Sequence, residues 1–171
     1  MKASELLVTE YIPYYMTYIS KAGDLDLIEG LKSSFKTTVA FFNALPDDKL
    51  EYVYADKKWT VKEIIQHLID AERVFAYRAL RFARSDENSL PGYDENEYAS
   101  ASLANHRSIE ELIEDYSSLR ESTIHLFQSF SDAMLMKMGR ASGGEMSVRA
   151  IGFVITGHET HHCQVIKDRY L

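Results

Sequence analysis

Cysteine is nearly missing from this chain. Cys163 is the only one, so no internal disulfide can form, and a cytoplasmic location is expected. An excess of basic residues is missing too. Nineteen Lys and Arg stand against 26 Asp and Glu, a net charge of −7, which argues against a nucleic-acid binder whose affinity would rest on phosphate neutralisation. No apolar run approaches the ~20 residues of a membrane-spanning helix. Residues 1–10 lack the cationic start and apolar stretch of a signal peptide. The expected partner is therefore a small molecule, with neither nucleic acid nor membrane involved. Proline is scarce: Pro13, Pro46 and Pro91 each fall at a break.

Apolar side chains, by contrast, make up 46% of the 171 residues. That is enough for the core of one domain, 1–171, without staples. Between the prolines they recur at helical spacing, and no strand is expected. A first helix is predicted from about Leu25 to Leu45, with Leu31, Phe35, Val39 and Phe42 in its stripe. A second opens on the capping box Thr60-Val61-Lys62-Glu63 and runs to about Arg84. A third opens on Ser108-Ile109-Glu110-Glu111 and runs to about Phe130. A fourth runs from Ser147 to about Tyr170. Four amphipathic helices of this length call for an all-α four-helix bundle. Residues 1–24 read as an arm packed on it, rich in tyrosine. Residues 85–107 are long for a helix connection and read as a crossover or a functional loop.

The chemistry lies in the histidines. At about 100° per residue, His158 and His162 fall within about 20° of Ile151, in the middle of the inward stripe of the fourth helix. An unpaired buried imidazole costs roughly 1–3 kcal/mol, so two side by side need a reason. A divalent metal supplies one, since neutral imidazole nitrogens four residues apart can converge on one ion. The bland alternative is a pair of core histidines bonded to backbone or water. His67, at the margin of the apolar face of the second helix, is the best third ligand. His161 sits about 60° from the ligand stripe and reads as an edge residue, and His106 and His125 are assigned nothing.

His158-Glu159-Thr160-His161-His162 matches H-E-x-x-H formally. Nine residues follow His162, so a downstream third ligand of the zinc-protease kind is not expected. Glu159 is a candidate base beside the ligand set, or simply a solvated glutamate. If His67 and His162 share an ion, the second and fourth helices run antiparallel. The predicted order is then up-down-down-up, with the long crossover between the second and third helices. Cys163 reads as a small buried residue, not a ligand. Arg73, Arg78, Arg81 and Arg84 could bind an anionic substrate tail, but pairing with acids of residues 86–97 is the plainer expectation.

The chain resembles the DinB-like (YfiT-like) family of metal-binding four-helix bundles. The resemblance rests on Trp59-Thr60-Val61-Lys62-Glu63 continuing to His67-Leu68-Ile69-Asp70-Ala71-Glu72-Arg73, on Leu90-Pro91-Gly92-Tyr93-Asp94, and on Ser147-Val148-Arg149-Ala150. It extends to Gly157-His158-Glu159 with His161-His162, and to Arg169-Tyr170-Leu171. The family's ligand triad maps onto His67, His158 and His162. The resemblance implies a bound zinc, nickel or similar ion, an unusual bundle topology and a homodimer. It also implies a hydrolase, or a transferase using a low-molecular-weight thiol cosubstrate. Three neutral imidazoles would leave an open position suited to either, and both readings stay open. A non-catalytic metal-binding or scaffold bundle is the alternative.

Overall fold

Each of the last three long helices starts where a capping side chain stands. In the computed structural model, which describes all 171 residues, Thr60 accepts from the Glu63 amide while the Glu63 carboxylate takes the Thr60 N–H. Ser108 and Glu111 close the same reciprocal box, and Ser147 caps the last helix through the Ala150 amide. In chain order the helices are α1 (Met16–Ile19), α2 (Leu27–Asn43), α3 (Val61–Ala83), α4 (Glu95–Ala101), α5 (Ile109–Gln128), α6 (Asp132–Leu135) and α7 (Val148–Arg169). The four long ones are the predicted helices, with ends drawn in by one or two residues, as cap geometry commonly does.

Strands were not expected, and the structure corrects this. β1 (Met138–Ala141) and β2 (Gly144–Ser147) form an antiparallel hairpin. Its turn, Ser142-Gly143, has φ of 52° and 80°. Positive φ at both central residues is the geometry that closes two-residue hairpins. Strands of four residues are too short for alternation to stand out. The hairpin also ties down the long connection: Leu90 donates to the Arg140 carbonyl and accepts from the Ser142 amide.

Helix α2 packs on α5 and α7, and α3 packs on the same two. Side-chain contacts fix the directions. Tyr170 at the end of α7 donates to the Trp59 carbonyl just before α3, so α3 and α7 are antiparallel. Arg107 reaches Gln66 and Arg120 reaches Glu72, so α3 and α5 are parallel. Leu27 meets Gly152, and Thr38 lies 3.9 Å from Cys163, so α2 and α7 are parallel. The helices therefore run up, down, down, up.

The buried apolar residues form two lobes. One holds 24 residues, including Leu31, Ala71, Ile124 and Ile155. The other holds 13, including Phe42, Leu68, Tyr116 and Cys163. Each long helix passes from one lobe to the other, and at the crossing it carries polar groups: Ser34 and Thr38 on α2, Glu72 on α3, Arg120 on α5, and His158 with Glu159 on α7. A polar stratum thus divides the core. Its charges are paired, as buried charges must be: Arg120 holds Glu72 at 2.8 Å and Glu159 at 2.7 Å.

The N-terminal arm is part of the core. Tyr11, Tyr15 and Ile19 are buried in the larger lobe. Glu10 accepts two hydrogen bonds from Arg149 in the first turn of α7. The Arg149 guanidinium draws the Glu10 carboxyl down to about 2 against the opposing effect of burial. Near Tyr18 the arm lies directly on α7. A Cβ at Gly157 would stand 1.8 Å from the Tyr18 carbonyl oxygen, so only glycine permits the approach.

Candidate metal centre

The antiparallel run of α3 and α7 brings three imidazoles to one point. Nε2 of His158 lies 3.1 Å from Nε2 of His67 and 3.0 Å from Nε2 of His162. One ring nitrogen from each of the three lies within 4.8 Å of the others. His158 and His162 adjoin because they are one helical turn apart. His67 is not marginal, as its place on the helical wheel suggested, but 8% exposed. The Trp59 ring covers it at 4.7 Å between centroids. Tyr18 and Phe75 close the cluster from above, with ring centroids 4.9 and 6.3 Å from His158.

Burial disfavours the charged imidazolium in all three. His67 is pushed down to about 4 and His162 to about 3. His158 is lowered furthest, by burial and then by its histidine neighbours. At neutral pH the rings are therefore uncharged and carry the lone pairs that a metal takes. The spacing suits an ion as well. Metal–nitrogen bonds of about 2.0–2.1 Å set ligand atoms about 2.9 Å apart in a facial octahedral array and about 3.3 Å apart in a tetrahedral one, and the two close pairs fall between. Nδ1 of His162, the ring nitrogen turned away from this convergence, is buried without a hydrogen-bond partner. The stratum beneath adds one guanidinium and two carboxylates, a formal excess of one negative charge beside His158.

The cluster forms one end of a cavity of about 880 Å³. Its walls carry Tyr14, Tyr15, Tyr18, Trp59 and Phe75, then Arg78, the Ser89–Tyr93 stretch of the long connection, Glu95 and the hairpin turn at Ser142 and Gly143. The tyrosines of the arm divide between two places: Tyr11 and Tyr15 are buried, while Tyr14 and Tyr18 join hydroxyls at 3.1 Å in the cavity wall. Burial holds the Tyr18 phenol well above its ordinary range, so it is a donor at neutral pH.

Several residues differ from their expected places. Glu159 is not a solvated glutamate. It is 1% exposed, accepts from Tyr116 and Arg120, and lies beneath the histidines, not on the cavity. Arg78 does not pair with the acids of residues 86–97, although Arg81 does, with Asp86. Arg73 pairs with Asp70 and Asp115 instead. Cys163 is buried as expected, its thiol pushed up to about 12 by desolvation. His161 is half-buried at the edge, and His106 and His125 are exposed. Trp59, Phe75 and the Glu72–Arg120 pair were not singled out as site residues. The one signal for Trp59 was its place immediately before the Thr60 cap.

A four-helix bundle that gathers three neutral imidazoles from two antiparallel helices, at the closed end of a cavity, defines a class of helical proteins suited to hold a metal ion. The chain belongs to the DinB superfamily, whose family profile matches residues 31–166. A protein of Oceanobacillus iheyensis, provisionally named a metal-dependent hydrolase, is 25% identical over 127 residues, covering 73% of this chain and 72% of its own. One of Geobacillus kaustophilus with the same provisional name is 27% identical over 137 residues, covering 79% and 75%. Among solved structures, YfiT from Bacillus subtilis, described as a probable metal-dependent hydrolase with an unusual four-helix bundle topology, superposes with a TM-score of 0.67. That match covers 94% of this chain and 92% of YfiT at 17% identity, and so speaks for the fold.

Proposed function

We propose that the protein is a metal-dependent hydrolase of small molecules, with His67, His158 and His162 holding one divalent cation, zinc or nickel. The observation that carries this is the convergence of three neutral imidazoles at one end of a cavity, with Nε2 of His158 3.1 Å from that of His67 and 3.0 Å from that of His162. A bound cation would supply Lewis acidity and lower the pKa of a water or thiol at its open position.

The chain's own residues do the rest. Trp59, Tyr18 and Phe75 limit water around the imidazoles, which strengthens every polar interaction there. The Tyr18 hydroxyl offers a hydrogen bond to an oxygen of the bound molecule. Glu159 touches no substrate. Held by Arg120 and Tyr116, it leaves a buried oxygen, Oε1, without a partner. A void of about 10 Å³ between it and His158 is about the size of one water. Through such a water it would orient the His158 ring.

A thiol transferase is the second reading. A cavity of about 880 Å³ has room for a thiol cosubstrate together with an electrophile. The thiol would come from outside, because Cys163 is not on the cavity wall.

Metal content separates these readings from a plain scaffold. The purified protein is expected to carry about one equivalent of zinc or nickel. His158→Ala and His162→Ala should lose it, and His67→Ala should hold it about 10-fold or more weakly. Unchanged metal content in the His67 variant would remove that residue from the site. Turnover of esters and amides without added thiol favours the hydrolase; turnover only with bacillithiol, mycothiol or glutathione and an electrophile favours the transferase.

A further inference from the structure

Three arginines are almost wholly buried: Arg78 at 2% exposure, Arg120 at 1% and Arg149 at 7%. Two of them answer to carboxylates. Arg120 holds Glu72 and Glu159, and Arg149 holds Glu10. Arg78 has no carboxylate partner. Its Nη2 donates to the Pro91 carbonyl at 3.0 Å and to Ser142 Oγ at 2.9 Å, and the Tyr15 hydroxyl is a further neighbour, so every oxygen that answers it is uncharged. A buried guanidinium without a counter-charge is costly unless something else supplies one. The residue lies on the wall of the same cavity as the histidines.

We propose that Arg78 is a binding site for the carboxylate of the substrate, so that the protein acts on small monoanionic molecules. The assignment rests on the reading above in taking the histidine cluster as the reacting end. The two ends are close enough for one small molecule to reach both. The Phe75 ring stands 6.3 Å from the His158 ring and 5.9 Å from the Arg78 guanidinium, which caps the separation at about 12 Å. That span fits an acyl or amide compound with its acid group a few bonds from the reacting bond. The long connection and the hairpin serve this site. Pro91 and Ser142 fix the guanidinium from two segments that Leu90 stitches together. Tyr15 and Tyr93 line the wall beside it, giving the anion an apolar surround in which one fixed cation counts for more.

A monoanion suits the charge better than a phosphate. Arg78 is the only Lys or Arg on the wall, and Glu95 also lies there. A dianion would face a single cation and a carboxylate. The planar guanidinium fork matches a carboxylate edge to edge.

The test uses binding, not turnover. Trp59 is the only tryptophan and sits on the cavity wall, so its fluorescence reports occupancy. N-acetylphenylalanine is titrated against its neutral amide, in the metal-free and metal-loaded full-length protein. The acid is expected to bind about tenfold or more tightly than the amide. Arg78→Met should erase that preference while leaving metal uptake intact, and Arg78→Lys should keep part of it. Equal binding of acid and amide by the wild type would overturn the proposal, and so would a preference surviving in Arg78→Met. Inorganic phosphate displacing the acid more strongly than acetate does would overturn the choice of a carboxylate. Loss of metal binding with the acid preference intact would sink the metal reading and leave this site standing. Intact metal uptake with no acid preference would do the reverse.

Discussion

Arg120 and Arg78 lie on either side of the histidines, and the protein treats them differently. Arg120 belongs to the closed half of the site, where Glu72, Glu159 and Tyr116 surround it and leave room for no more than a water. Arg78 belongs to the open half, equally buried but answered by uncharged oxygens alone beside a cavity of about 880 Å³. A buried charge that the fold satisfies specifies structure. A buried charge left unsatisfied beside an opening is a stability cost retained for binding. The histidine layer is the boundary between the two.

Acid is the largest perturbation of that boundary. The three rings titrate near 6.5 in the unfolded chain, whereas in the folded protein His67 is held down to about 4 and His162 to about 3 by burial, with His158 lowered further. Because the folded values are depressed, their stabilising contribution is complete above about pH 6.5 and is lost as the pH falls towards the folded values. Each ring that stays neutral costs about 1.4 kcal/mol per unit of pH, or roughly 2 kcal/mol by pH 5. The urea midpoint of the metal-free protein should therefore fall steeply between pH 7 and 5. A flat midpoint would mean that the rings accept protons in the folded state, and that the boundary layer is as wet as the cavity.

Next in size is the direct exchange of the two arginines. Arg120→Met leaves two carboxylates buried without a counter-charge and should cost about 3–5 kcal/mol. Arg78→Met loses two hydrogen bonds, about 0.5–1.5 kcal/mol each, but also removes an unpaired buried charge. Its stability should stay within about 1 kcal/mol of wild type. Equal losses in the two variants, read from urea denaturation at pH 7.5, would erase the distinction between the halves.

The legible and illegible parts of the molecule divide along the same line. Helices α3, α5 and α7 announced themselves through hydroxyl caps and apolar stripes, which are local signals. His158 and His162 stood out because polar residues occupied the centre of a core stripe. His67 was found only beside them, since its burial depends on Trp59 folding over it from outside the helix. Arg78 was visible as one of four arginines that could meet an anionic substrate, yet its lack of an acid partner was not. That depends on where residues 89–93 and the hairpin turn come to rest, and no helical period encodes it. The Glu72–Arg120–Glu159 layer escaped for a similar reason. Glu72 and Arg120 look like ordinary helix-surface charges, and Glu159 like a base or a solvated glutamate, until three helices are brought together.

The smallest expected effect sharpens the comparison from the arm's side. Gly157 lies one residue before His158, and its missing Cβ is what lets the Tyr18 carbonyl rest on α7. In Gly157→Ala the added methyl would meet backbone, not a flexible side-chain tip, so the arm has to lift there. Overpacking of this kind costs about 1–3 kcal/mol. The lower end is expected, because the Glu10–Arg149 pair anchors the arm separately. The consequence should be confined to the open half. Tyr18 would move off the His158 ring and the cavity would widen, while Arg120 and its carboxylates stay in place. Limited proteolysis should cut near residues 16–22 in the variant and not in wild type, with stoichiometric metal retained. If the variant instead lost its metal while the arm stayed protected, the histidine layer would depend on the packing of α7 itself, and Tyr18 would be a bystander.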